Sequence, residues 1–137
     1  MPVPPEVEAL ITDAPVSAHL ATSVDDRPHV APVWYGYRDG TVYFATGGRK
    51  LANVRRNPRV ALSIESARGG DVDWNVTLLG HATVVEDPDR VAWAESWIYD
   101  RYDGAATDGG ESETDDSGRD YELLAVTVGS VAWNVYA

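Results

Sequence analysis

A chain of 137 residues is long enough for one hydrophobic core and too short for two independent ones, so a single domain over residues 1–137 is expected. Twenty-two acidic residues against eleven basic ones give a net charge of -11, which repels nucleic acid and anionic membranes. The absence of cysteine excludes disulfides, thiolate metal sites and cysteine nucleophiles, so any redox chemistry must come from a bound cofactor.

The opening Met1-Pro2-Val3-Pro4-Pro5-Glu6 has neither the basic end nor the apolar run of a secretory signal, and no stretch of the chain is apolar for long enough to cross a bilayer. A cytoplasmic location is expected. Pro4 to Ala14, with Val7, Leu10 and Ile11 at helical spacing, reads as a short amphipathic helix stopped by Pro15. Val16 to Val24 alternates as a half-buried strand. Asp25-Asp26-Arg27-Pro28 supplies turn chemistry before a second strand from His29 to Tyr37, and Arg38-Asp39-Gly40 closes a hairpin onto Thr41 to Thr46.

Gly47-Gly48 then breaks the chain before a helix from Arg49 to Asn57, which Pro58 ends. Val60 to Glu65 and Asn75 to Val85 are two further strands, flanking a loop at Gly69-Gly70. Asp87-Pro88-Asp89 offers a capped start for a helix from Arg90 to about Tyr102. From about 103 to 120 the chain is almost wholly Gly, Ser, Thr, Asp and Glu, which reads as a flexible, solvated acidic loop. A last strand runs from Tyr121 to about Tyr136. The fold class expected is mainly β with short helices, a six-stranded antiparallel barrel, with a sandwich as the alternative.

Thr46-Gly47-Gly48-Arg49-Lys50 carries the clearest chemical signal. A strand ends, two glycines permit a tight turn, and adjacent cations open a helix whose free N–H groups attract anions. A phosphate site and a merely solvated, exposed helix start both fit these residues. Ten of the eleven cations are arginine and Lys50 is the only lysine. Abundant carboxylates with scarce lysine match a halophilic protein of a salty cytoplasm. His19, His29 and His81 lack ligand spacing, and no metal site is expected. Trp93 and Trp97, one helical turn apart, read as core or interface packing rather than as a stacking platform.

Arg49-Lys50 followed by Asn57-Pro58-Arg59-Val60 resembles the flavin-phosphate segment of the pyridoxamine 5'-phosphate oxidase-like family of FMN-binding split barrels. His29-Val30-Ala31-Pro32-Val33-Trp34-Tyr35 and Asn75-Val76-Thr77-Leu78-Leu79-Gly80 resemble that family's ring-facing and central strands, and the similarity covers most of residues 16 to 86. The resemblance implies a six-stranded split β-barrel, a flavoprotein, and a homodimer with the cofactor at its interface. It implies that Arg49 and Lys50 hold the FMN phosphate and that Thr46 contacts the ribityl-phosphate arm. Backbone groups around Val30 and Val33 would edge the ring, and Asn75 would reach the cofactor across the interface. Of the remaining tryptophans, Trp34 or Trp133 could cover a flavin face, and a buried structural role fits each of them equally. The implied function is that of an FMN-dependent oxidoreductase of unknown small-molecule substrate. A deazaflavin-dependent reductase and a non-catalytic flavin- or haem-binding protein are the alternatives. The chain ends at Ala137, short of the basic tail with which true oxidases hold pyridoxal phosphate, so a substrate other than pyridoxamine phosphate is expected.

Overall fold

The computed structural model describes residues 3–98 and 121–136, so the acidic segment at 103–120 lies outside the described residues. Three two-residue turns organise the strands, each with both residues in the left-handed region: Asp25-Asp26 (φ 52 and 63), Asp39-Gly40 (φ 50 and 79) and Gly69-Gly70 (φ 55 and 92). Such pairs match the right-handed twist of the strands they join, which is why Gly and Asp recur there. They close hairpins between β1 (Ala18–Val24) and β2 (Arg27–Val33), between β3 (Gly36–Arg38) and β4 (Thr41–Thr46), and between β5 (Arg59–Arg68) and β6 (Asp71–Val85). The last strand, β7 (Glu122–Val135), pairs with both β6 and β4.

The result is an antiparallel sheet in the order β2-β1-β5-β6-β7-β4-β3, not closed, with β2 and β3 at its two edges. The architecture is that of a split β-barrel with three short helices. Pro28 and Pro32 sit in β2, where a missing N–H is tolerated because only one side of the strand is paired. The helices are α1 (Pro5–Ile11), α2 (Gly48–Arg56) and α3 (Pro88–Ile98).

Alternation along the strands sends Leu20, Leu62, Ile64, Val76, Leu78, Phe44, Leu124 and Val126 inward, where Val7 and Ile11 of α1 and Leu51 and Val54 of α2 complete the core. A second apolar layer lies outside the barrel, where Ala94 and Ile98 of α3 pack on Tyr43, Val85, Leu123 and Ala125. The first part of β7 is therefore covered on both faces, which accounts for the unbroken buried run from Leu123 to Val126. Trp93, Trp97 and Tyr43 meet edge to face with centroids 5.3 to 6.0 Å apart, and the Arg38 guanidinium lies 3.9 Å from the Trp97 ring centroid. The tryptophan pair is packing, as its helical spacing suggests.

Among the described residues seven strands form where the sequence pattern suggests six. The run from His29 to Tyr37 divides because its first part pairs with β1 and its last part with β4, on opposite sides of the split. Gly36 marks the division, since a Cβ there would lie 2.6 Å from the Trp97 ring and 2.7 Å from Ile98. Tyr35 fixes the crossing by donating to the Ile11 carbonyl at 2.6 Å. Among the described residues no helix is long and apolar enough to cross a membrane.

Candidate functional site

The site forms where β4 hands over to α2. Thr46 is the last residue of β4, only 2% exposed, and its Oγ1 is buried without a hydrogen-bond partner. Leaving such a hydroxyl unsatisfied costs about 1–3 kcal/mol, a cost that persists only where something else selects for the group. Immediately after it, Gly47 caps α2 with no side chain to offer, and the first turn of the helix holds no acidic residue. The first N–H groups and the positive end of the helix are thus left for an anion. Gly48, at φ 60, is the conformation that lets the helix start directly off the strand.

The two cations that open α2 point to different flanks. Arg49 is exposed, whereas Lys50 is only 9% exposed beside Leu51 and Val54, so the expectation that both sit on an exposed helix start holds for Arg49 alone. An aliphatic stem can lie along the core while its ammonium reaches a polar edge. Arg49 shares its flank with Asn53, one turn further on. Asn53 Nδ2 donates to Thr22 Oγ1 on β1 at 2.9 Å, Asn57 Nδ2 donates to the Ser23 carbonyl at 2.8 Å, and Arg56 meets Asp25 at 3.4 Å. Asn57 Oδ1 also accepts from the Arg59 N–H at 3.2 Å, so the Asn-Pro-Arg run is a joint that both ends the helix and fastens it to β1. In consequence α2 leaves the β4 side of the split and docks on the β1 side.

Of the residues implied as cofactor contacts, the structure brings together Thr46, Arg49 and Lys50 within one strand-to-helix junction. Val30 and Val33 lie on opposite faces of β2, the first 63% exposed and the second 6% exposed in the core, so they share no side-chain surface. Asn75 accepts a 3.2 Å bond from Asn134 Nδ2 across β6 and β7. Its partner Asn134 and the adjacent Trp133 belong to the far end of β7 from Glu122, the residue that pairs with Thr46. Eleven residues of strand separate Glu122 from Trp133, roughly 36 Å of extended chain. Two residues that the sequence reading does not place there, Asn53 and Thr22, build its wall; the only sequence signal for Asn53 is its four-residue spacing from Arg49. Among the described residues no group of three His, Asp or Glu side chains is placed to hold a metal ion.

The geometry defines a split barrel in which a helix with no capping side chain and no acid in its first turn starts directly off a strand. The chain belongs to the pyridoxamine 5'-phosphate oxidase family, whose model matches residues 4–133. Among solved structures it is similar to a FAD-binding protein from Mesorhizobium loti, with 21% identity and a TM-score of 0.74 over 93% of this chain and 89% of that one. It is also similar to an F420 reductase, at 25% identity and TM-score 0.67 over 95% and 98% of the two chains. A haem-binding protein from Mycobacterium smegmatis matches at 25% identity and TM-score 0.67 over 92% of this chain and 50% of that one. No curated protein sequence matches the chain.

Proposed function

We propose that this protein is an FMN-dependent oxidoreductase acting on a small molecule, with the cofactor's phosphate held by Thr46, Arg49, Lys50 and the N-terminal N–H groups of α2. The observation that carries the reading is the buried, partnerless Thr46 hydroxyl beside a helix start with no capping side chain and no acid. A dianionic phosphate there would accept from the hydroxyl and the backbone amides, and two cations would offset its charge. When bound, FMN supplies the hydride or electron transfer. The chain's own residues bind, orient and desolvate it. Asn53 and Asn57 keep α2 fixed on β1, so the anion site is held in place before the ligand arrives.

A twofold partner completes this site. Asn75 and Trp133, which lie toward the opposite end of β7's register from the Thr46–Glu122 pair, would make their cofactor contact with the neighbouring subunit's ligand. This reading also suits a protein in which Trp133, Val135 and Tyr136 at the end of β7 are 36%, 57% and 63% exposed.

A second reading, a reductase using the deazaflavin coenzyme, is favoured by the similarity to an F420 reductase along nearly the whole of both chains. That coenzyme also carries phosphate, and the α2 junction would receive it in the same way.

The test is the double variant Arg49→Ala with Lys50→Met, in which methionine retains the packing of the buried lysine stem. Charge-assisted hydrogen bonds contribute about 1.5–3 kcal/mol each, so FMN affinity measured by quenching of flavin fluorescence should fall by about 100-fold or more. Riboflavin, which lacks the phosphate, should bind wild type and variant alike. FMN affinity unchanged in the double variant would overturn the assignment.

A further inference from the structure

We infer that a row of side chains crossing the outer face of the sheet, Arg59, His81, Thr127, Thr41 and Arg38, is a docking surface for an extended acidic peptide segment of a partner protein. The row is built by strand register. Arg59 of β5 lies directly opposite His81 of β6, His81 opposite Thr127 of β7, Thr127 opposite Thr41 of β4, and Thr41 opposite Arg38 of β3. Directly paired residues project to the same side of a sheet, so the five side chains form one line across five strands. Thr41 is partly exposed and the other four are exposed, which makes this the outer face.

In a chain with a net charge of -11, this line carries an arginine at each end and no carboxylate. The positions beside it on the same face, Ala61, Leu79, Thr83, Ala125 and Tyr43, are uncharged as well. Asp39, next to Arg38 in sequence, belongs to the turn and not to this face. Arg90 of α3 adds a third guanidinium at the margin, donating to the Tyr43 phenol oxygen at 2.9 Å. Among the described residues neither Arg38 nor Arg59 has an acidic partner, unlike Arg55, Arg56 and Arg68. Arg38 is also held in place, with its guanidinium 3.9 Å from the Trp97 ring centroid and 5.5 Å from that of Trp93. Stacking orients the group and leaves its N–H fork for a carboxylate.

The spacing selects the occupant. Four strand spacings separate the two end arginines, about 19 Å, which an extended peptide spans in about six residues. A single phosphate or carboxylate is far shorter. A nucleic-acid strand of that length carries about six phosphates, against two fixed charges in the row. A second copy of this chain meeting the row about a twofold axis would set arginine against arginine. An acidic peptide fits on both counts: carboxylates meet Arg59 and Arg38, and the amides between them meet the Thr127 and Thr41 hydroxyls and the His81 ring, each of which can donate or accept.

The test uses the full chain labelled with nitrogen-15, at low salt, and a probe peptide of glycine and serine carrying two glutamates six positions apart. The backbone amide resonances of Arg38, Thr41, Arg59, His81 and Thr127 should shift together and saturate, and binding should weaken at least fivefold when salt is raised to about 0.5 M. Arg38→Gln and Arg59→Gln should each weaken the peptide about fivefold, whereas Arg68→Gln, which removes the same charge elsewhere, should leave it unchanged. Shifts absent at millimolar peptide, or scattered away from the row, overturn the inference. So does equal affinity for a peptide whose two glutamates are adjacent, or the same shifts produced by sodium acetate, since either means that a small anion suffices. Dissociation of a wild-type oligomer by Arg38→Gln would give the row to a second copy of the chain and overturn it as well.

Discussion

Replacing Thr46 by valine should make the empty protein more stable and the loaded protein weaker, a combination that a purely structural threonine would not produce. Thr46 is 2% exposed and its hydroxyl has no hydrogen-bond partner, so folding strips the group of water and returns nothing. Valine keeps the β-branched shape suited to β4 and removes the unsatisfied group, which should stabilise by about 1 kcal/mol, toward the low end of the usual desolvation cost. For a domain of this size that corresponds to a rise of about 3 °C in Tm. The lost hydrogen bond to a phosphate oxygen should weaken FMN by about tenfold, since charge-assisted bonds contribute about 1.5–3 kcal/mol. Thermal unfolding by circular dichroism, without ligand and with saturating FMN, reads both effects in one experiment. A lower Tm for the empty Thr46→Val protein would refute the reasoning, because it would mean that the hydroxyl has a partner within the fold.

Three further outcomes are expected. Gly80→Ala should cost about 2 kcal/mol or more in urea unfolding, because its Cβ would lie 2.5 Å from the Thr127 carbonyl and 2.7 Å from Val126 at the β6–β7 irregularity; stability equal to wild type would contradict the close approach. Tyr37→Phe should destabilise by about 1–3 kcal/mol, since the phenol donates to Glu8 and accepts from the Gly40 N–H at 2.9 Å. Burial, and then the bond to Glu8, pushes the Tyr37 phenol well above its ordinary range. Its contribution is therefore complete below about pH 10 and is lost as pH rises beyond it, so wild-type stability should fall more steeply than that of Tyr37→Phe in alkaline titrations; parallel curves would contradict this. Asn53→Ala should lower stability by about 1 kcal/mol and weaken FMN through loosening of α2 from β1, and full FMN affinity in that variant would show that the helix needs no such anchor.

Much of the barrel was legible in the sequence because its signals are local. Asp25-Asp26, Asp39-Gly40 and Gly69-Gly70 are turn pairs whose left-handed backbone the residue types anticipate, and alternation then assigns the strand faces. The division of His29–Tyr37 into β2 and β3 was not legible, because what breaks it is contact between Gly36 and Trp97, sixty-one residues away in the chain. The early start of β6 at Asp71 was missed for a related reason: Val72, Asp73 and Trp74 gain their strand from pairing with β5 and β7 rather than from their own pattern.

The site divides along the same line. Thr46, Arg49 and Lys50 are neighbours in sequence, so a strand end, two glycines and two cations sufficed to mark them. That Lys50 is buried while Arg49 is exposed depends on which flank of α2 faces the core, and this is set by the docking of Asn53 and Asn57 on β1. Asn75 follows from the resemblance alone, and its pairing with Asn134 beside Trp133 is set by the long-range register of β6 and β7.

The central claim is that the α2 junction holds a flavin by its phosphate. The measurement that tests it most directly is titration of the purified full chain in high salt with FMN, the deazaflavin coenzyme and riboflavin, followed by absorbance and protein fluorescence. Saturable binding of a phosphate-bearing flavin, at least 100-fold tighter than that of riboflavin, is the result the account predicts. Binding of neither phosphate-bearing cofactor, or equal affinity for FMN and riboflavin, would contradict it.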